Sequence, residues 1–129
     1  MKKILLLLGL AIVLLGGGFG FDYYKRASDY KHAVQAIRVT EPNLTTIKDG
    51  EYTGEHDVGF IRAKVKVEVK DHRFRAINLI EHANDRGGKA DRLPQDMLAQ
   101  QKVTVDAISG ATNSSKVIQK AVENALKDK

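Results

Sequence analysis

From Ile61 to Val69 apolar and charged residues alternate without interruption, Ile61, Ala63, Val65, Val67 and Val69 standing against Arg62, Lys64, Lys66 and Glu68. A period of two predicts a strand with one buried face and one wet face. Asp71-His72 is a tight break, and Phe74, Ala76, Ile77, Leu79 and Ile80 predict a second strand that pairs with the first as a β-hairpin. Its apolar residues fall on both parities, so its register stays open. Ahead of the hairpin, Asp49-Gly50 is a turn signal and Glu51–Gly54 reads as a short strand. Behind it, Asn84 to Ala90 is a polar, glycine-containing loop. Leu93, Met97, Leu98 and Gln101 follow at helical spacing, with Pro94 early enough that its missing N–H costs nothing. Val103-Thr104-Val105 is short and β-branched, which predicts a strand. A last helix is expected from about Ser114 to Lys127, with Val117, Ile118, Ala121, Val122, Ala125 and Leu126 as its apolar stripe. This order predicts an α+β domain, a small, mostly antiparallel sheet with helices packed on one face.

The N-terminus has a different pattern. Lys2-Lys3 precedes a run that is apolar from Ile4 to Leu15 except for Gly9 and continues through Gly16-Gly17-Gly18 to Phe21. The full run has the minimum length for a spanning helix, and its first part has the length of a signal-peptide core. Both readings export the rest of the chain. Tyr23, Tyr24, Lys25 and Arg26 resemble an interfacial aromatic pair with a basic stop and favour a retained anchor. The expected organisation is a membrane anchor or signal segment at 1–26, a partly helical juxtamembrane linker at 27–46, and an extracytoplasmic domain at 47–129. Within the linker, helical spacing extends to Val39 and Pro42–Thr46 marks a break.

Composition narrows the chemistry. The 129 residues include no cysteine, which excludes disulfides, thiolate metal sites, iron–sulfur ligation and a cysteine nucleophile. The net charge of +5 arises largely at the N-terminus. Beyond residue 26 there are 17 basic against 15 acidic residues, interspersed in sign, so no nucleic-acid surface is expected. No P-loop, dinucleotide fingerprint or Ser-His-Asp order is present. His32, His56 and His72 lack metal-ligand spacing and read as solvated.

The turn before the last helix carries the candidate chemistry: Asp106-Ala107-Ile108-Ser109-Gly110-Ala111-Thr112-Asn113-Ser114-Ser115. Unsatisfied N–H groups and the positive dipole end at a helix N-terminus favour anions, and Gly110 permits close backbone approach to a phosphate. On turn chemistry alone, Ser114 or Asn113 capping a surface helix explains the same residues.

Asp106-x-x-Ser109-Gly110-Ala111-Thr112 resembles the flavinylation motif of the FMN-binding domain family, which includes the C subunit of sodium-translocating NADH:quinone reductase and the G subunit of the Rnf complex. Asp49–Gly54 is similar to that family's opening strand, Val65-x-Val67-x-Val69-x-Asp71 to its hairpin, and Ser114–Lys116 with Ala121–Leu126 to its closing helix. Family hairpins usually have Gly where this chain has His72. The resemblance implies an FMN joined by a phosphoester to Thr112, placed there by an FAD-dependent flavin transferase. It further implies a phosphate cradle at Ser109, Gly110 and Ala111, with the helix near Ser114 adding its positive end. Gln101 matches a family position, Asp106 would organise the turn or serve the transferase reaction, and His82 is either an ordinary loop residue or a neighbour of the flavin ring. The implied role is electron relay at the cell membrane, between redox partner proteins or a quinone-linked donor. An exported module of the same fold that is never flavinylated, and a reductase holding FMN noncovalently, are the competing readings.

Overall fold

The computed structural model describes residues 2–84 and 87–129, excepting the side chains of residues 2 and 5–16. The elements are helix α1 (Lys2–Gln35), strands β1 (Gly50–Asp57), β2 (Arg62–Lys70) and β3 (Arg73–Ala83), and helices α2 (Leu93–Gln100) and α3 (Thr112–Leu126). The strands form one antiparallel sheet in the order β1-β2-β3. Helix α3 covers β1 and β2, and α2 lies against β3. The architecture is the α+β arrangement expected.

The alternation in β2 fixes which face is buried. Ala63, Val65, Val67 and Val69 are at most 1% exposed and face Val117, Ile118, Ala121 and Val122 of α3 across the core. The other face carries ion pairs, among them Lys66 to Glu51 at 3.0 Å. At the hairpin, Asp71 and His72 both adopt positive φ, 52° and 61°. That is the backbone twist a two-residue hairpin turn requires, and here His72 adopts it without glycine.

Strand β3 has apolar residues on both parities because it is bulged twice. Val69 pairs with Phe74 but Glu68 with Ala76, and Val65 pairs with Leu79 but Lys64 with Glu81, leaving Arg75 and Ile80 as the extra residues. Each extra residue reverses the side-chain parity of the strand beyond it. Phe74 and Ile77 are therefore both buried, Ile80 is turned out, and His82, opposite Ala63, is turned in.

One glycine sets the spacing between sheet and helix. A Cβ on Gly54 would collide with the backbone of Ala121 and Ala125, so β1 and α3 can pack this closely only with glycine there.

Three details differ from the sequence expectation. Val103–Val105 is not a strand; Val105 N turns back to Val103 O at 2.8 Å, the Glu41 carboxylate accepts from Val103 N at 2.8 Å, and Gln119 Nε2 donates to Val105 O at 2.7 Å. Both valines are nonetheless buried. Helix α1 ends at Gln35, short of Val39, while Val34 and Ile37 join the core. Helix α3 starts at Thr112 and not at Ser114, with Ala111 as its N-cap.

Among the described residues no helix is long and apolar enough to cross a membrane. The side chains of 5–16, which carry most of the expected anchor, lie outside the described residues, as do residues 85 and 86 of the polar loop.

Candidate functional site

The turn before α3 is held from within by Ser115. Its Oγ donates to Ala111 O at 2.8 Å and accepts from Ile108 N at 3.0 Å, and Ala111 N donates to Ile108 O at 2.9 Å. Ser115 is fully buried, so these bonds are made away from water. Gly110 stands at φ 81°, in the left-handed region that glycine enters freely. The first bond of the helix ladder is Ser115 N to Ala111 O, and among the described residues no side chain caps the helix. The N–H groups of Thr112, Asn113 and Ser114 thus begin α3 without a partner in the ladder.

Capping by Ser114 is ruled out by where its hydroxyl goes. Ser114 Oγ lies 3.0 Å from His82 Nε2, and His82 Nδ1 lies 2.6 Å from Asp91 Oδ1. The tautomer with the proton on Nδ1, toward the carboxylate, would leave Nε2 to accept from Ser114 Oγ–H. The His82 side chain is 4% exposed and that of Asp91 62%, so the chain runs from solvent to the buried hydroxyl. Gly87 leaves the space for it, because a Cβ there would overlap Ser114 Oγ. These three residues have the bonding order of a serine hydrolase triad, an arrangement not expected from the sequence. Ser114 is only 1% exposed and packed against Gly87, which leaves its oxygen no line of attack on a substrate.

Gly110, Ala111, Thr112, Asn113 and Ser114 form one wall of an open cavity of about 740 Å³, within the ordinary range for small-molecule sites. Asn84 and Gly87 form a second wall, and Tyr23, Tyr30, Phe60 and Ile61 a third. Thr112 is exposed at the first position of α3, with its residue in the cavity wall. Lys89 Nζ comes to 4.0 Å from where a Cβ of Gly110 would stand, bringing a cation to the turn.

The residues expected from the sequence divide into two groups. Gly110, Ala111, Thr112 and Ser114 come together at the cavity, with His82 behind Ser114. Ser109 and Asp106 are exposed on the same turn but are not among the cavity-lining residues. Gln101 lies elsewhere: its Oε1 accepts from Phe74 N at 2.8 Å and its Nε2 donates to Phe74 O and Leu98 O, both at 2.9 Å, joining α2 to β3.

The model of the FMN-binding domain family matches residues 59–127, just over half of the chain. The chain belongs to this family. Among curated proteins none matches it. The matched span takes in β2, β3, α2, α3 and the turn at Thr112, and identifies the protein as an FMN-binding flavoprotein. The residues present fit that cofactor. A phosphate would meet the free N–H groups of α3 and the Lys89 ammonium, and the planar ring system would have an aromatic wall in the same cavity. Among the residues near the turn and lining the cavity, Lys89, Asn84 and Phe60 of the matched span, and Tyr23 and Tyr30 ahead of it, were not singled out as site residues from the sequence. A basic residue in a glycine-containing loop was the only signal pointing to Lys89.

His56 also departs from expectation. It is half-buried on the inner side of β1, opposite Ala63, and desolvation by burial, followed by the nearby Lys120 charge, lowers its pKa below the usual histidine value.

Proposed function

We propose that this chain is a membrane-anchored, extracytoplasmic electron carrier whose FMN is joined by a phosphoester to Thr112 Oγ1. The observation that carries the reading is the position of Thr112, exposed at the uncapped start of α3 and in the wall of a cavity large enough for FMN. In the attachment step the Thr112 oxygen forms a bond to the FMN-side phosphorus of FAD. The pyrophosphate bond breaks, AMP departs, and the hydroxyl proton passes to a base of the flavin transferase. The exposure of Asp106 and Ser109 suits them to contact that enzyme during the step.

After attachment the N–H groups of Thr112, Asn113 and Ser114, the Gly110 turn and Lys89 offset the phosphate charge. His82 holds the Ser114 hydroxyl away from the helix start, which keeps those N–H groups available to the phosphate. Gln101 supports the site indirectly, by fixing α2 to β3. When bound, FMN supplies one- or two-electron chemistry, and the chain's own residues hold and orient it. The role we infer is relay between redox partner proteins, or from a quinone-linked donor.

The test is the absorbance of the protein after denaturing precipitation, following co-expression with a flavin transferase. Flavin colour in the pellet supports the covalent reading. Colour in the supernatant indicates noncovalent FMN, and a colourless preparation indicates a module of this fold that is not flavinylated.

A further inference from the structure

The cavity lined by Thr112 is also lined by three aromatic rings, Tyr23, Tyr30 and Phe60. Phe60 stands in the connection between β1 and β2. That connection is a built turn: Gly59 N donates to Asp57 Oδ1 at 2.8 Å, Val58 N donates to Ile61 O at 2.9 Å, and Gly59 takes a φ of 102°. Val58 and Ile61 are buried on either side, while Phe60 is 41% exposed. Two rings of α1 meet it. Tyr30 packs edge-on with its centroid 5.3 Å from that of Phe60, and Tyr23 lies at 6.5 Å with a tilt of 39°. These spacings are those of interacting aromatic rings, yet Tyr23 remains 69% exposed. Exposed aromatics grouped in the wall of a cavity leave apolar surface for a ligand to cover.

The helix that supplies the two tyrosines is fixed to the site. Asn113 Nδ2, next to Thr112, donates to Tyr30 Oη at 3.1 Å. Beyond the end of α1, Lys120 Nζ of α3 donates to Arg38 O at 2.9 Å, and Val34 and Ile37 are buried in the core. Tyr23 and Tyr30 lie outside the span matched by the family, 59–127, and Phe60 lies at its first positions.

We propose that Tyr23, Tyr30 and Phe60 form the binding wall for the isoalloxazine ring, so that α1, a helix outside the family domain, completes the flavin site. This rests on the attachment at Thr112 proposed above. The occupant is set by continuity: anion donors and aromatic wall belong to one cavity, and a planar, conjugated ring on a flexible phosphorylated chain is the part of FMN that remains once its phosphate is at Thr112. Stacking beside tyrosine quenches flavin fluorescence by electron transfer from the phenol, whereas phenylalanine contributes contact alone.

The full-length chain, co-expressed with flavin transferase and purified in detergent, tests this through two readouts, intact mass and flavin emission per attached flavin. The variants are Tyr23→Leu, Tyr30→Phe and Phe60→Leu, the last on an exposed turn outside the core. One FMN per chain throughout, with emission raised severalfold in Tyr23→Leu and measurably in Phe60→Leu as the ring loosens, is the expected result. Tyr30→Phe, which keeps the ring contact but removes the phenol and the bond from Asn113, should also brighten. Full loading with unchanged emission in all three variants would overturn the aromatic wall and leave the attachment intact. A wild-type chain that carries no FMN would overturn both.

Discussion

His82 Nε2 stands 3.0 Å from Ser114 Oγ although 32 residues separate them, and both side chains are almost wholly buried. The bulge at Ile80 makes the contact possible by turning His82 inward, and Gly87 leaves room for it. His82→Ala strands a buried hydroxyl and should lower stability by about 1–3 kcal/mol. Ser114→Ala strands the ring nitrogen instead. Because each single change already breaks the shared bond, the double variant should cost less than the sum of the two. Denaturant unfolding of all four proteins measures this, and strict additivity would show that the contact contributes nothing.

At Gly54, β1 comes so close to α3 that a Cβ would overlap the backbone of Ala121 and Ala125. Gly54→Ala should force helix and sheet apart and cost about 1–3 kcal/mol, the usual range for overpacking a core. Gly88→Ala is the control, since a Cβ there meets nothing within 4 Å. Thermal melting should separate the two variants clearly. Equal melting points would mean that the sheet and helix are not held at this spacing.

His56 gives the domain a pH dependence of definite sign. Its pKa is lowered in the folded chain, first by desolvation and then by Lys120, so folding favours the neutral ring. The unfolded chain binds a proton near pH 6.5 and the folded chain only below that, so stability from this residue is complete above the unfolded value. It is lost as pH falls through the lowered folded value. Urea midpoints measured across this window should fall more steeply with acidity for the native sequence than for His56→Gln. Identical slopes would show that His56 is not desolvated as described.

The parts of the fold that were legible in the sequence are those governed by short-range pattern. The buried face of β2 follows from strict alternation between Ile61 and Val69, and the turn at Ser109–Thr112 from residue types that favour an anion. The register of β3 was not legible, because bulges at Arg75 and Ile80 leave no local mark except apolar residues on both parities. Val103–Val105 has strand composition, but Glu41 and Gln119 take its backbone bonds from far along the chain. At the helix start, Ser114 has the composition of a cap, and only the fold shows that His82 holds its hydroxyl. The flanks of Tyr23 suggest a membrane interface and give no sign that it also lines the cavity beside Thr112.

The attachment at Thr112 is tested most directly by the intact mass of the chain after co-expression with an active flavin transferase. The native chain and Thr112→Ser should each gain the mass of one FMN less one water, with Thr112→Ser loaded at least in part because it keeps the oxygen. Thr112→Ala should have the mass of the bare polypeptide while melting as a folded protein. Ser109→Ala should remain labelled. A flavin adduct on Thr112→Ala, or a bare native chain in the presence of active transferase, would contradict the assignment.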